Sequence, residues 1–338
     1  MSIALDATYS VGRNLSGVGV YSREILFGLA QAHPDEEFLF FYRTHRLLRS
    51  IRDSLPRNAS RRVLRSAPAS PIFHALNQRV DYRARRTVST FHDLFVMTGQ
   101  YSSEEFRARF AVQAREAAAR SDLVIAVSEF TASQVEALLG VERSRIRVIP
   151  HGVRTPPVDS RRPEKLVLTV GAIQKRKNIA RLVKAFESMP VGWRLAIAGS
   201  TDGFGAQEEL LAVEQSPRRT DIDVLGYVTA EELENLYGRA AIFAFPSLDE
   251  GFGMPVLDAM AHGIPVVTSS RSALPEVAGD AAVLVDPEDT EALGEALRSF
   301  ARNENLRADF AQRGRSRALQ FPWQVAVERT WSVYGELR

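Results

Sequence analysis

Short apolar runs alternate along this chain with longer stretches in which apolar side chains recur every three or four positions. Ser2–Leu5 reads as a strand, and Val20–Gln31 as a helix with Ile25, Leu26 and Leu29 on one face. Phe38–Tyr42, Thr87–Phe91 and Leu123–Val127 read as buried strands beside helical stretches at Ser103–Ala119 and Thr131–Leu139. Arg145–Ile149 adds a strand that stops at Pro150. Thr155–Pro163, rich in proline and charge, reads as a linker.

The alternation then restarts. Strands are expected at Leu166–Val170, Arg194–Ala198, Asp223–Leu225, Ile242–Phe245, Pro265–Thr268 and Ala282–Val285. Helices are expected at Asn178–Met189, Gln207–Glu214, Ala230–Tyr237, Pro255–His262 and Thr290–Asn303. Strand–helix alternation favours parallel sheets covered by helices on both faces. The reading is therefore α/β, with two Rossmann-like doubly wound domains at 1–155 and 156–320 facing a central cleft. Ligands of such sheets sit at the carboxyl ends of the strands.

Composition narrows the class. The 338 residues are 45% hydrophobic and 25% charged, which excludes a disordered or fibrous chain. Cysteine is absent, so there is neither a disulfide nor a thiolate metal site. The start Met1-Ser2-Ile3-Ala4-Leu5-Asp6 lacks the features of a signal peptide, and no apolar run approaches the roughly 20 residues of a spanning helix. A cytoplasmic protein is expected, peripheral at most. Net charge is only +2, yet about a dozen arginines crowd between Arg43 and Arg86, opposed by Asp53 and Asp81 alone. Such a face suits anionic lipid at the inner membrane surface or an acidic acceptor, and equally a solvated surface. No aromatic platform accompanies the arginines, so nucleic acid is not an expected partner. Oligomeric state is not readable.

Candidate chemistry concentrates in Phe245-Pro246-Ser247-Leu248-Asp249-Glu250-Gly251-Phe252-Gly253-Met254-Pro255, running on to Asp258. A strand ends, a glycine-punctuated loop follows, and Pro255 starts a helix that Gly263 closes. Amides at a helix start bind phosphate or sugar oxygens, and Glu250 and Asp258 can hold hydroxyls. Composition alone leaves open a capped helix with a solvated glutamate.

This segment resembles the signature of the retaining glycosyltransferase family 4: a Glu, a Gly-Phe-Gly loop, and a second Glu, here Asp258. Val170-Gly171-Ala172-Ile173-Gln174-Lys175-Arg176-Lys177-Asn178 resembles the family's basic loop, with Lys177 at the family lysine. Ala172 stands where many members carry arginine, a role that would pass to Arg176. Ser16-Gly17-Val18-Gly19 resembles the family's glycine loop, and Phe91-His92-Asp93-Leu94 its His-Asp pair. His151 replaces the family's Asn before Gly152. Gly226-Tyr227-Val228 resembles the turn that reads the nucleobase.

The resemblance implies the GT-B fold, with an N-terminal acceptor domain, a C-terminal donor domain, and a final helix at about 321–338 packed back on the first domain. It implies retaining transfer of a hexose to a glycan or lipid-linked acceptor in polysaccharide or glycoconjugate biosynthesis; the wording resembles mannosyl- or rhamnosyl-transferring members most, which favours GDP-mannose as donor over a UDP- or dTDP-sugar. His92, Glu250 and Lys177 take the catalytic places. Gly17, Gly19, Arg176, Tyr227, Gly251, Phe252, Gly253, Met254 and Asp258 take the binding places. No metal and no cofactor are expected, because the basic loop supplies the positive charge. Asp221-Ile222-Asp223 has the spacing of a metal-binding pair, and is read instead as a turn and a strand start. Two rivals stay open: a nucleotide-sugar epimerase on the same scaffold, and a non-catalytic nucleotide-sugar-binding subunit.

Overall fold

The computed structural model describes residues 2–12, 15–157 and 162–338. Met1 and residues 158–161 of the expected Thr155–Pro163 linker lie outside the described residues. The chain divides into two compact units, one of Met1–Thr98, Glu104–Gly152 and Phe321–Arg338, the other of Gly99–Ser103 and Val153–Gln320. The division at Gly152 falls slightly ahead of the expected 155. The C-terminal stretch clusters with the first unit.

In the first unit, β1 (Ser2–Asp6), α1 (Gly17–Ala32), β2 (Glu37–Tyr42), α2 (Thr44–Ser50), β3 (Ala59–Val63), β4 (Ile72–Ala75) and β5 (Arg86–Phe91) follow in order. Then come α3 (Phe95–Thr98), α4 (Glu104–Arg120), β6 (Leu123–Ala126), α5 (Glu129–Leu139) and β7 (Ile146–Val148). Seven parallel strands lie in the order β3-β2-β1-β4-β5-β6-β7. Ile3 stands beside Phe38 on one side and Ile72 on the other. The central strands are buried on both faces, which is why Leu123–Ala126 reads as an unbroken apolar run. Local signals set the ends of α5: the Ser128 hydroxyl accepts from the Thr131 amide, and Gly140 closes the helix at φ 66°.

The second unit contains β8 (Leu166–Val170), α6 (Ile179–Phe186), β9 (Arg194–Ala198), α7 (Ala206–Gln215), β10 (Ile222–Gly226), α8 (Ala230–Arg239) and β11 (Ile242–Phe245). It continues with α9 (Met254–Ala261), β12 (Val266–Ser269), α10 (Leu274–Ala278), β13 (Ala282–Val285), α11 (Thr290–Arg302) and α12 (Glu304–Ala318). Its six parallel strands run in the order β10-β9-β8-β11-β12-β13. Val167, Leu195, Ile197, Ile242 and Ala244 form one side of a core closed by Leu182, Phe186, Leu293 and Phe300 of the helices.

The last helix, α13 (Trp323–Gly335), packs on α1 within the first unit. The approach is close. A β-carbon at Gly28 would lie 2.5 Å from Val327 Cγ2, so only glycine fits there without displacing α13. Near its end, the Tyr334 hydroxyl meets His74 Nδ1 at 2.7 Å. His74 Nε2 lies 2.8 Å from the Thr90 hydroxyl, which in turn is 2.9 Å from the Tyr21 hydroxyl. This buried chain satisfies its polar groups internally, so it orients α13 without stranding a donor.

Among the described residues, no helix is long and apolar enough to cross a membrane.

Candidate functional site

In a doubly wound sheet the ligand crevice lies where the strand order reverses. In the second unit that point is between β8 and β11. The loops leaving these two strands carry the basic stretch and the glutamate–glycine stretch.

After β8 the chain turns at Gly171 and makes a short 3-10 turn, Lys175–Lys177. Asn178 sits in the left-handed region at φ 59° and caps α6. Its side-chain amide donates to the Pro246 carbonyl at 3.0 Å and to the Pro287 carbonyl at 2.7 Å. The Leu248 amide donates to the Arg176 carbonyl at 2.8 Å. The two loops are thus joined by backbone as well as side chains.

Glu250 is the centre of the join. The residue is 8% exposed, and its Oε1 lies 2.5 Å from Lys177 Nζ and 2.7 Å from an Arg176 guanidinium nitrogen. That guanidinium also donates to the Asp249 carbonyl at 2.5 Å. Lys177 Nζ stands 4.4 Å over the Phe245 ring. Burial opposes ionisation of Glu250, yet the Arg176 and Lys177 charges outweigh it and hold its carboxyl down at about 2. Its ionised form therefore stabilises the fold above the ordinary carboxylate range and is lost only as pH falls through about 2.

Gly253 takes φ 103° as it enters α9, and a β-carbon there would also lie 2.5 Å from Leu274 Cδ2. Conformation and contact both demand glycine. Met254 begins α9, Pro255 follows in its first turn, and Gly263 sits beyond the helix end at φ 71°. The structure brings Arg176, Lys177 and Glu250 together and places Gly251 and Gly253 in the adjoining loop, with Met254 as the first residue of α9. The Phe252 ring is buried, which anchors the loop in the apolar interior. Tyr227 follows β10 at the sheet edge, with β9 between β10 and β8, and is 51% exposed. It makes no hydrogen bond or ring contact with the Glu250 cluster.

Asp258 lies one turn into α9. Burial pushes its carboxyl up to about 7, with His262 partly opposing and Glu234 adding. His262 bridges α9 and α8: Nδ1 donates to the Asp258 carbonyl at 2.7 Å, and Nε2 lies 2.9 Å from Glu234. Tyr237 stacks on His262 with centroids 4.7 Å apart, and its buried hydroxyl has no hydrogen-bond partner among the described residues. Burial, then the Asp258 and Glu234 charges, keep that phenol neutral. Sequence reasoning passed over Tyr237 because it shares the apolar face of α8 with Leu236.

The Asp221–Asp223 pair is committed elsewhere. Asp221 meets Arg218 at 2.8 Å at the end of a 3-10 turn, and Asp223 meets Arg194 at 2.7 Å in β10. Among the described residues no three His, Asp or Glu side chains gather as metal ligands would.

In the first unit, His92 follows β5 and is buried. Its Nε2 donates to the Leu76 carbonyl at 2.9 Å, which fixes the tautomer and leaves Nδ1 as an acceptor, 3.4 Å from His151 Nε2. The Tyr21 ring stands edge-on to both imidazoles. Burial lowers the His92 pKa to about 4 despite the Leu76 bond, so the ring is neutral near pH 7. Gly17 and Gly19 lie in the first turn of α1 rather than in a loop before it, because Ser16 caps the helix there. Gly19 is a packing position, where a β-carbon would meet the Tyr9 carbonyl at 2.9 Å.

Family models match both halves of the chain, glycosyl transferases group 1 over residues 156–317 and glycosyltransferase family 4 over residues 30–155. The chain belongs to glycosyltransferase family 4. It is 29% identical to O-antigen chain mannosyltransferase B of Escherichia coli, over 97% of this chain and 98% of that one. It is 29% identical to an MMP alpha-(1->4)-mannosyltransferase of Mycolicibacterium hassiacum, over 62% of this chain and 53% of that protein. The fold is GT-B. Sucrose-phosphate synthase from Thermosynechococcus elongatus superposes with a TM-score of 0.80 at 22% identity, over 100% of this chain and 99% of that one. The Anabaena protein HepE, solved with UDP and glucose, gives 0.74 at 15% identity over 99% of both chains. This glycosyltransferase acts in glycan biosynthesis.

A raised folded-state pKa makes the Asp258 proton part of the folded state, so its contribution to stability falls as pH rises from about 4 to about 7. Asp258→Asn should flatten that part of the profile of unfolding midpoint against pH. Identical slopes in the two proteins would show that Asp258 titrates normally.

Proposed function

We propose that this enzyme is a retaining hexosyltransferase that moves mannose from GDP-mannose to a glycan or lipid-linked acceptor, and needs neither metal nor cofactor. One observation carries the reading: a single buried carboxylate clamped by Arg176 and Lys177 at the point where the second unit's strand order reverses. A departing nucleoside diphosphate gathers negative charge, and fixed cations beside it lower the barrier. Glu250 holds those cations in place and offers its carboxylate to sugar hydroxyls. The α9 start at Gly253–Met254 receives phosphate oxygens. Asp258 holds the ribose, and Tyr227 lies toward the base. His92, a neutral imidazole, is the first unit's contribution to the donor sugar.

No side chain is assigned as a covalent nucleophile. The acceptor attacks the face that the diphosphate leaves, through an oxocarbenium-like state, and the leaving phosphate takes the acceptor's proton. Catalysis then rests on positioning and charge stabilisation. The relatives named as mannosyltransferases favour mannose, whereas the neighbour solved with UDP and glucose keeps uridine donors in the test.

The test is a melting-temperature panel of GDP, UDP, dTDP and ADP and their sugars, with and without EDTA, on the native chain and on Lys177→Ala and Glu250→Ala. GDP and GDP-mannose should raise the midpoint whether or not EDTA is present. Both variants should lose transfer by a factor on the order of 100 or more. A shift that needs metal, or near-normal turnover in both variants at saturating donor, would contradict the reading.

We further propose a peripheral contact with anionic lipid at the inner membrane face. The arginine-rich stretch divides in the structure. Arg43 is buried against Asp6 and Asp81, Arg79 pairs with Asp81, and Arg86 pairs with Asp122. Arg49, Arg52 and Arg57 are exposed around Leu48 and Ile51, themselves 76% and 63% exposed on and after α2. Apolar side chains ringed by arginine suit a headgroup layer. Vesicles containing phosphatidylglycerol should carry the chain in flotation, and Arg49→Glu with Arg52→Glu should release it. Flotation equal on neutral vesicles would exclude the contact.

A further inference from the structure

Among the described residues other than glycine, the backbone takes a positive φ at Asn178 and at Ser272. Asn178 caps α6 within the basic loop. Ser272, at φ 56°, lies between β12 and α10, more than twenty positions beyond Glu250. A residue with a β-carbon is strained in this region, and such strain persists only where the surroundings impose it.

We propose that Ser272 is a positioning residue for glycosyl transfer: its left-handed turn and its hydroxyl pin the backbone of Glu250 and so aim the carboxylate at the donor sugar. The proposal rests on the glycosyltransferase reading above, in which Glu250 meets sugar hydroxyls.

The Glu250 amide donates to Ser272 Oγ at 3.0 Å, and the Glu250 carbonyl accepts from the Ala273 amide at 3.2 Å. Two consecutive residues thus hold the peptide groups on both sides of the Glu250 α-carbon. Only the side-chain torsions of Glu250 remain, and Arg176 and Lys177 meet its carboxylate. The Ser272 hydroxyl gives its own proton to the Arg271 carbonyl at 2.7 Å, which leaves an oxygen lone pair for the Glu250 amide.

The turn is braced on both sides. Ala273 and Leu274 are fully buried, and Leu274 packs on Gly253 of the glycine loop. The Arg271 amide donates to Ser269 Oγ at 3.0 Å, and the Arg271 guanidinium meets Asp286 at 2.9 Å and Glu288 at 2.5 Å beyond β13. These anchors impose the strained conformation that brings the hydroxyl to Glu250. Glycine would adopt the same φ without strain, but it has no hydroxyl. The strain is therefore tied to the group that touches Glu250.

Three substitutions in the full chain separate aim from stability. Turnover is read as nucleoside diphosphate released from GDP-mannose or UDP-glucose with water as acceptor, beside the unfolding midpoint. Ser272→Ala keeps the strain and loses the hydroxyl, and Ser272→Gly loses both. Ser272→Asn tolerates the left-handed turn and offers an amide oxygen to Glu250. Ser272→Ala and Ser272→Gly should both lose kcat on the order of tenfold, because a displaced contact group costs rate. KM should change by less than about twofold, since the cations keep their contacts with Asp249 and Phe245. Ser272→Gly should melt above Ser272→Ala although it is equally slow. Ser272→Asn should recover kcat to within about threefold of the native chain. Native kcat in both Ser272→Ala and Ser272→Gly would overturn the proposal. So would a kcat that follows the midpoint, or Ser272→Asn as slow as Ser272→Gly, since either leaves Ser272 a stabilising residue only. If Ser272→Ala does not fold, Ser272→Gly against Ser272→Asn decides. A native chain that turns over neither nucleotide sugar would instead remove the parent reading and this one with it.

Discussion

Glu250 ties the loop after β8 to the loop after β11, and the carboxyl edge of the second unit depends on that tie. A carboxylate this buried persists in ionised form only because two cations reach it, and the cations stay packed against Phe245 and Asp249 because the carboxylate is there. Removing one partner of such a cluster leaves an uncompensated buried charge, at a cost of about 3–5 kcal/mol. Asn178 and the Leu248–Arg176 backbone bond make the same join with neutral groups. The arrangement therefore stands ready before any ligand comes, which is what preorganised charge stabilisation requires.

Both units reverse their strand order, at β8 and β11 in one and at β1 and β4 in the other. The second unit fills that position with fixed charge. The first instead buries a chain of neutral groups through Tyr21, Thr90, His74 and Tyr334. Burial lowers the His74 pKa to about 3, with His92 adding to the effect, so the chain holds no charge near neutrality.

Much of this was legible in the sequence because burial on both faces writes itself as continuous apolar runs. Ile242–Phe245 is all apolar and was readable as a strand. Ala59–Val63 was not, since an edge strand carrying Ser60, Arg61 and Arg62 shows no apolar period. Ile72–Ala75 was hidden by its brevity and by His74, whose polar ring is satisfied only by residues far along the chain. Polar α12 escaped notice because it needs only Gly314 and a few neighbours to sit on Met260. The glutamate and the lysine were each visible as motif residues. Their contact across 73 positions was not, nor was Tyr237, which looked like core.

Equilibrium unfolding of Lys177→Met, Glu250→Gln and the double variant, compared with the native chain, measures the tie directly. If the carboxylate and the ammonium act as one unit, the double variant loses less than the two single losses added together. The coupling should be on the order of 1–3 kcal/mol. Losses that add to within about 0.5 kcal/mol would mean that the contact does not hold the two loops together.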